Sequence, residues 1–245
     1  VPSTLSYEDE EQIPIQFAAA SNAFEYTTIL AKQGVKHKVG GEDARGGLLS
    51  IDPYEDRGLN TLQWFVNVED DTKDIEEEDT KRLKTLKKLR ASGLLLKDEI
   101  QEYNLLKCSC PEASKERFRY LVDWDPDALI TTRLRNKPLI HTMKDISNAL
   151  HLVLEAGFKY HPKVGGLLFI EDNDGTLAFD YICDEVGVER VMEILNEILS
   201  PTRDFPILHH VFIKAPQHKD LFTKKFPWAY HLKDQNGRTL HQALL

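Results

Sequence analysis

The sequence predicts an all-α fold, an α-solenoid in which helix-turn-helix units stack along the chain. A short motif recurs along the chain: a turn, then Thr or Pro, then an apolar residue and often His. Leu177, Leu208 and Leu240 lie in successive copies of this motif and are 31 and 32 residues apart. Sequence periods of roughly 20–50 residues are typical of stacked repeats. Gly-Gly-Leu-Leu also occurs twice, at 46–49 and 165–168. Because one such unit cannot bury its own apolar face, stacking must supply the core, and we expect about six imperfect repeats.

The N-terminal elements follow this scheme. The segment from Ile13 to Ala20 opens a helix, which we expect to end at Gly34. The Gly-Gly-Leu-Leu phrase at 46–49 predicts a short extended segment. The stretch 58–63 then predicts the turn that opens the next helix.

A charged segment interrupts the scheme. Acidic residues dominate 69–79, and a basic stretch follows at once at 81–90. Apolar side chains recur along the basic stretch with helical spacing, and Ser92-Gly93 predicts a turn before a second helix at 94–106. The basic helix either pairs with the acidic run beside it or contacts an acidic partner or nucleic acid.

This segment sets the expected organisation of the chain. Residues 1–68 and 111–245 are predicted to be repeats of one continuous solenoid, with extended turns between the helices. Residues 69–110 are predicted to be a charged helical-hairpin insert within that solenoid.

The first C-terminal helix is predicted from three apolar positions. Leu150, Val153 and Leu154 fall on one helical face. Gly157 is expected to stop this helix, since glycine is favoured just past a helix end.

The following elements alternate turns and helices. Residues 172–175, Asp-Asn-Asp-Gly, predict a turn, and the Thr176 hydroxyl is expected to cap the next helix. Apolar residues from Val188 onward repeat every 3.6 residues, which predicts an amphipathic helix. Pro206 and the phrase at 234–243 are each expected to open one more helix.

Composition narrows the function. The 245 residues carry a net charge of −9, which gives no bulk attraction for nucleic acid or anionic lipid, and no apolar run is long enough to span a bilayer. Cysteine is scarce and odd in number, with Cys108, Cys110 and Cys183. We therefore expect a reducing, intracellular setting, the cytoplasm or nucleus before an organelle interior.

The repeated phrase resembles the ankyrin-repeat motif, whose core is a turn followed by Thr-Pro-Leu-His. Gly237, Thr239 and His241 match its turn glycine, Thr and His, and Pro206 to His209 supply Pro, Leu and His. The resemblance, to divergent ankyrin arrays of the diatom type, covers most of the chain outside 69–110. Part of that insert is similar to the short helical hairpin called SHOCT. The resemblance implies a non-enzymatic scaffold or adaptor that binds another protein.

The expected contact surface is the concave helix face and the tips of the extended turns. No cofactor, metal or catalytic residue is expected, because the familiar nucleotide, hydrolase and metalloprotease motifs do not occur in the sequence. The residues predicted to contact a partner protein are Glu42, Arg45, Tyr54, Glu55, Arg57, Lys163, Asp172, Asn173, Gln235 and Asn236.

Two other functions stay open at this point. A metal-dependent regulatory domain or enzyme would use residues drawn from His209, His210, Asp204, Cys108 and Cys110. A fixed subunit of a larger assembly would have its surface permanently covered. Against the metal hypothesis, the histidines at 141, 209 and 241 are expected to share one repeat position and to bind backbone in a neighbouring turn.

Overall fold

The computed structural model describes residues 13–41, 44–51, 58–67, 75–109, 115–131, 137–143 and 146–245. Within these ranges the protein is mostly helical, with thirteen α-helices, six short 3₁₀ helices and isolated β-bridges in place of strands. The all-α prediction is confirmed. The ankyrin-type solenoid, and the boundaries at 68 and 110, stay predictions. The chain divides into two compact units, Val1–Asp125 and Pro126–Leu245.

The first unit is built from helices of unequal length. Its 3₁₀ helix is Arg45–Gly47. Its α-helices are α1 (Pro14–Ala20), α2 (Phe24–His37), α3 (Thr61–Val66), α4 (Ile75–Ala91), α5 (Asp98–Glu102), α6 (Leu105–Cys108) and α7 (Lys115–Trp124).

The helix predicted from Ile13 to Gly34 is therefore two helices. The break falls at Ser21–Ala23, where Asn22 has φ = 55° and makes a left-handed turn that Asn tolerates better than most residues. The helix predicted at 94–106 is likewise two short helices, separated by Asn104 with φ = 50°.

The basic stretch of α4 contributes to the core of the first unit. Helix α4 packs against α2 and α7, and Leu86 and Leu89 are fully buried at these contacts. Phe24 of α2 and Phe65 of α3 meet edge to face with ring centroids 5.3 Å apart. Segment 75–91 is thus an integral part of this unit's packing.

Two buried arginines hold the end of α3. The Arg117 Nη1 donates to the Val66 carbonyl at 2.6 Å, and its Nε donates to the carboxylate of Asp79 on α4. Arg82 donates to the carbonyls of Phe65 at 2.9 Å and Asn67 at 2.6 Å. The last carbonyls of a helix have no intrahelical partner, so these cations satisfy them and face the negative end of the helix dipole.

The second unit repeats short helices separated by turns that often contain proline. Its 3₁₀ helices are Pro126–Leu129, Leu139–Thr142, Pro162–Val164, Pro216–His218 and Pro227–His231. Its α-helices are α8 (Leu150–Tyr160), α9 (Ala178–Val186), α10 (Val188–Leu199), α11 (Ile207–Lys214), α12 (Lys219–Lys225) and α13 (Leu240–Ala243).

The predicted amphipathic helix from Val188 onward is α10. Its apolar face is buried, with Val191, Leu195 and Leu199 at most 3% exposed, while Glu189 and Glu193 face solvent. Burial of each such aliphatic side chain contributes about 1.5–3 kcal/mol relative to exposure.

A glycine inside a helix packs on a Gly-Gly pair in both units. A Cβ on Gly34 of α2 would lie 2.4 Å from the Gly46 carbonyl oxygen, and one on Gly157 of α8 would lie 2.5 Å from that of Gly166. The prediction that Gly34 and Gly157 stop their helices is wrong, because α2 continues to His37 and α8 to Tyr160. Each glycine instead allows close backbone approach to the Gly-Gly-Leu-Leu phrase.

Replacing Gly34 by Ala tests this backbone contact. Ala is more favourable than Gly in a helix by about 1 kcal/mol, but its methyl group would overlap the Gly46 backbone. Because the overlap outweighs the gain in helix propensity, we expect G34A to lower the free energy of unfolding by about 2 kcal/mol. Urea unfolding followed by circular dichroism measures the change. The neighbouring exposed Gln33 gives the control, and Q33A should change stability by less than about 0.5 kcal/mol. A G34A protein as stable as the wild type would contradict the contact.

Removing the charge of Asp79 tests the buried ion pair. Burial lowers the pKa of Arg117, but an arginine stays protonated, so D79N leaves a buried cation without its counter-ion. We expect a loss of about 3 kcal/mol in the free energy of unfolding. As the control, E77Q removes a carboxylate of the same helix that pairs with Lys81 in solvent, and it should leave the urea midpoint unchanged. Equal effects of D79N and E77Q would rule out the proposed importance of the buried pair.

Candidate functional site

Three antiparallel bridges in the described part of the chain share one local design. In each, a glycine with positive φ lies two residues before the N-cap of the following helix. The bridges are Ile51–Asn60, Glu171–Leu177 and Lys233–Thr239, and the glycines are Gly58, Gly175 and Gly237, with φ of 65°, 79° and 73°. A turn that requires positive φ is the position where glycine carries no steric penalty.

The two turns of the second unit are also organised by an Asp side chain. The Asp172 Oδ1 accepts hydrogen bonds from the N–H groups of Asp174 at 2.9 Å and Thr176 at 3.0 Å. The Asp234 Oδ1 accepts two bonds in the same way at the corresponding positions. The prediction that Thr176 caps the next helix is wrong, because Leu177 occupies the N-cap and α9 begins one residue later than a Thr176 cap would place it.

Several helices in the described part of the chain carry a polar side chain at their third residue. His141 and His209 donate through Nε2 to the carbonyls of Thr176 and Arg238, both at 3.1 Å. These bonds confirm that the two histidines bind backbone in a later turn. His241 is the second residue of α13 and Gln242 the third, so the prediction that His241 shares their position is wrong.

Other polar residues occupy the same third position and also reach forward along the chain. In the first unit, Gln16 and Gln63 donate to the carbonyls of Ile51 at 3.0 Å and Tyr103 at 2.9 Å. In the second unit, Asp180 accepts from His218 at 2.6 Å. Each bond links the start of one helix to an element at least 35 residues further on, and it thereby fixes neighbouring elements against each other.

A concave site of about 250 Å³ lies where three elements of the second unit meet. These elements are the Pro162–Val164 turn, the first two turns of α11 and the turn that precedes α13. We call this site the turn groove, and its lining residues are Lys163, Pro206, His209, His210, Ile213, Lys214, Asp234, Gln235 and Asn236.

The chemistry of the turn groove suits recognition of a polar or acidic group. Lys163 and Lys214 are exposed and present two cations, while Ile213, with 52% of its surface exposed, offers an apolar contact. Asp234 is held by Arg238, whose Nε lies 2.9 Å from the carboxylate.

The two adjacent histidines of the groove have different roles. His209 is 3% exposed and its Nε2 is engaged with the Arg238 carbonyl. The His210 ring lies parallel to Phe169 and Phe205, with centroids 6.3 Å and 5.5 Å away. Burial, aided by His209 and Lys214, lowers the pKa of His210, so its imidazole is neutral at pH 7 and packs as an aromatic ring.

Three of the predicted contact residues come together in the groove: Lys163, Gln235 and Asn236. Asp172 and the exposed Asn173 lie instead on the preceding turn, where the Lys137 Nζ, 3.0 Å from the carboxylate, lowers the pKa of Asp172 to about 2. Arg45 belongs to the first unit and pairs with the buried Glu99 at 2.9 Å. The remaining predicted contacts, Glu42, Tyr54, Glu55 and Arg57, lie outside the described residues.

Sequence reasoning missed the apolar and cationic part of the groove. Pro206, Ile213 and Lys214 were not predicted as contacts, although Lys214 follows His210 by four residues and therefore shares its helix face. That spacing could have identified Lys214 once the helix boundaries were known.

The residues of the metal hypothesis do not form a site in the described part of the chain. Asp204 is exposed, Cys108 is half-buried, and Cys110 lies outside the described residues. Across the ranges that the structure describes, no group of three or more His, Cys, Asp or Glu side chains could hold a metal ion.

Comparison of the chain with family models, with curated proteins and with solved structures found no match. Among the described helices, none combines the length and apolar character needed to cross a membrane. The described fold defines a general class of protein, one that is mostly helical and has two compact units.

Substitutions of His209 test the third-residue contact. Because Gln occupies the same position in α1 and α3 and can donate to a carbonyl, we expect H209Q to retain most of the stability. Leucine cannot donate, so H209L should lower the free energy of unfolding by about 1 kcal/mol more than H209Q does. Urea unfolding at neutral pH measures both variants. An H209L protein at least as stable as H209Q would show that the hydrogen bond does not stabilise the unit.

Proposed function

We propose that the protein is a non-enzymatic scaffold or adaptor that binds another protein through the turn groove. The observation that carries this proposal is the meeting of Lys163, Gln235 and Asn236, which belong to turns about 70 residues apart in the sequence, on one concave surface. Loops held by a rigid framework commonly carry binding residues.

The repeated architecture supports the same proposal. Bridged turns with a glycine, Asx hydrogen bonding and forward contacts from the third helix residue recur along the chain, as a stack of ankyrin-like units would require. In such a stack the turn tips point away from the packed helices. A partner can then contact several tips at once without disturbing the core.

The size of the groove favours a short segment of a partner. A volume of about 250 Å³ lies below the roughly 300–1,000 Å³ typical of small-molecule sites, but it can hold one or two side chains. We expect an apolar side chain to contact Ile213 and Pro206, and a carboxylate or carbonyl to accept bonds from the two lysines and from the amides of Gln235 and Asn236.

Reversing the two groove lysines tests the function. We expect the K163E/K214E variant to recover about tenfold less of a partner than wild type in affinity capture from the source cells, which corresponds to about 1.4 kcal/mol of lost binding. Mass spectrometry quantifies the captured proteins, and equal urea midpoints verify that the fold is intact.

The control for this experiment is K224E/K225E on α12. It makes the same change in charge in the same unit and also alters the last turn of a short helix. A partner that both variants bind as well as wild type does would exclude the turn groove as the recognition surface. Absence of any protein retained by the wild-type chain would contradict the adaptor function itself.

A further inference from the structure

Helix α4 presents cations that form no ion pair within the described part of the first unit. Six basic residues lie between Lys81 and Arg90. Lys81 pairs with Glu77 at 2.7 Å, and Arg82 is buried beneath the end of α3. The other four are exposed and form no ion pair with any described residue: Lys84, Lys87, Lys88 and Arg90.

Aromatic rings of α7 hold part of this cationic surface in place. The Arg90 guanidinium carbon lies 4.1 Å from the Trp124 ring centroid and 5.7 Å from that of Tyr120. The Lys87 Nζ lies 5.6 Å from the Tyr120 centroid. Cation–π attraction restricts these long side chains, so a partner would not need to order them on binding.

The arrangement of Arg90 differs from that of the structural arginines of the same unit. Arg82 and Arg117 are buried, and both donate to backbone carbonyls of α3 or of the residue after it. Arg90 is exposed and its guanidinium makes no hydrogen bond to a described residue, while stacking on a ring leaves the donors at the edge of the guanidinium plane accessible. A planar guanidinium held in this way can bind a carboxylate through two parallel hydrogen bonds.

We propose that the α4–α7 basic face, formed by Lys84, Lys87, Arg90, Tyr120 and Trp124, binds a short acidic segment of a partner protein. Charge complementarity identifies the occupant, since this face concentrates positive charge on a chain whose net charge is −9. The basic face lies in the first unit, so it would bind its partner independently of the turn groove in the second unit.

The dimensions of the face favour a peptide over nucleic acid. Positions 84 to 90 extend about 9 Å along a helix axis. An extended peptide covers that distance with about three residues, so two Asp or Glu side chains two positions apart can reach the row of cations at Lys84, Lys87 and Arg90. Nucleic acid binding instead depends on many phosphate contacts, and the acidic remainder of the chain repels a long polyanion.

The experiment is fluorescence anisotropy of a labelled oligoglutamate peptide titrated with the full chain at about 0.15 M salt, where the Debye length is about 8 Å. We expect saturable binding that K87E/R90E weakens by about tenfold or more, because two contacts become repulsive. R90K keeps the charge but loses the planar fork, and it should weaken binding by about threefold.

The matched control is K32E/K36E, which makes the same change in charge on exposed residues of α2 in the same unit. It should weaken binding by less than about twofold, because these two lysines are not part of the basic face and salt at about 0.15 M shortens the range of their charges. Equal weakening by the two double variants would show that only net charge matters and would overturn the proposal. Lack of saturable binding, or tighter binding of a labelled oligodeoxythymidylate of equal charge, would also overturn it.

Discussion

The structure of the first unit depends on how it accommodates the Arg117 guanidinium, which is fully buried. A buried charge without partners is costly, so the unit must bring Asp79 of α4 and the Val66 carbonyl of α3 to the same place. These three groups belong to three different helices. Arg82 of α4 contacts the end of α3 in a similar way, because it donates to the carbonyls of Phe65 and Asn67. Its guanidinium carbon lies 4.5 Å from the Phe24 ring centroid. The two cations therefore fix α3 and α4 relative to each other, and with them the outer surface that α4 presents to solvent.

The second constraint is close backbone packing at glycine. In both units a helix approaches a Gly-Gly pair so closely that no side chain could be placed between them. Leu48 and Leu168, each two residues after the glycine that the helix contacts, are fully buried, and their carbonyls accept from the N–H groups of Leu62 and Phe179 at 2.9 Å. The Gly-Gly-Leu-Leu phrase thus joins a helix, a core position and the start of a bridged turn in one short stretch. The two phrases are used one residue out of register, because the helix contacts the first glycine of 46–49 and the second glycine of 165–168.

Each candidate binding surface depends on contacts that hold its elements in place. The turn groove exists because His209 ties α11 to the Arg238 carbonyl, which brings the turn at 234–236 beside Lys163. The α4–α7 basic face exists because Leu86 and Leu89 bury one side of α4 and leave its lysines on the other. In both surfaces the solvent-exposed polar groups lie on elements that core packing or hydrogen bonds already hold in position. Such preorganisation lowers the entropy that binding must overcome.

The sequence alone determined the helical class, the amphipathic helix from Val188 and the Asx turns, because these depend on residues within about four positions of one another. It also indicated the position at which His141 and His209 bind neighbouring turns. It could not determine the role of Gly34 and Gly157, which local rules assign to helix ends, or the burial of Arg117, which a local reading places among surface charges. Those outcomes depend on contacts between residues 9 to 51 positions apart. Only the tertiary structure decides them, because packing and desolvation act on groups that the fold brings together and that the chain keeps apart.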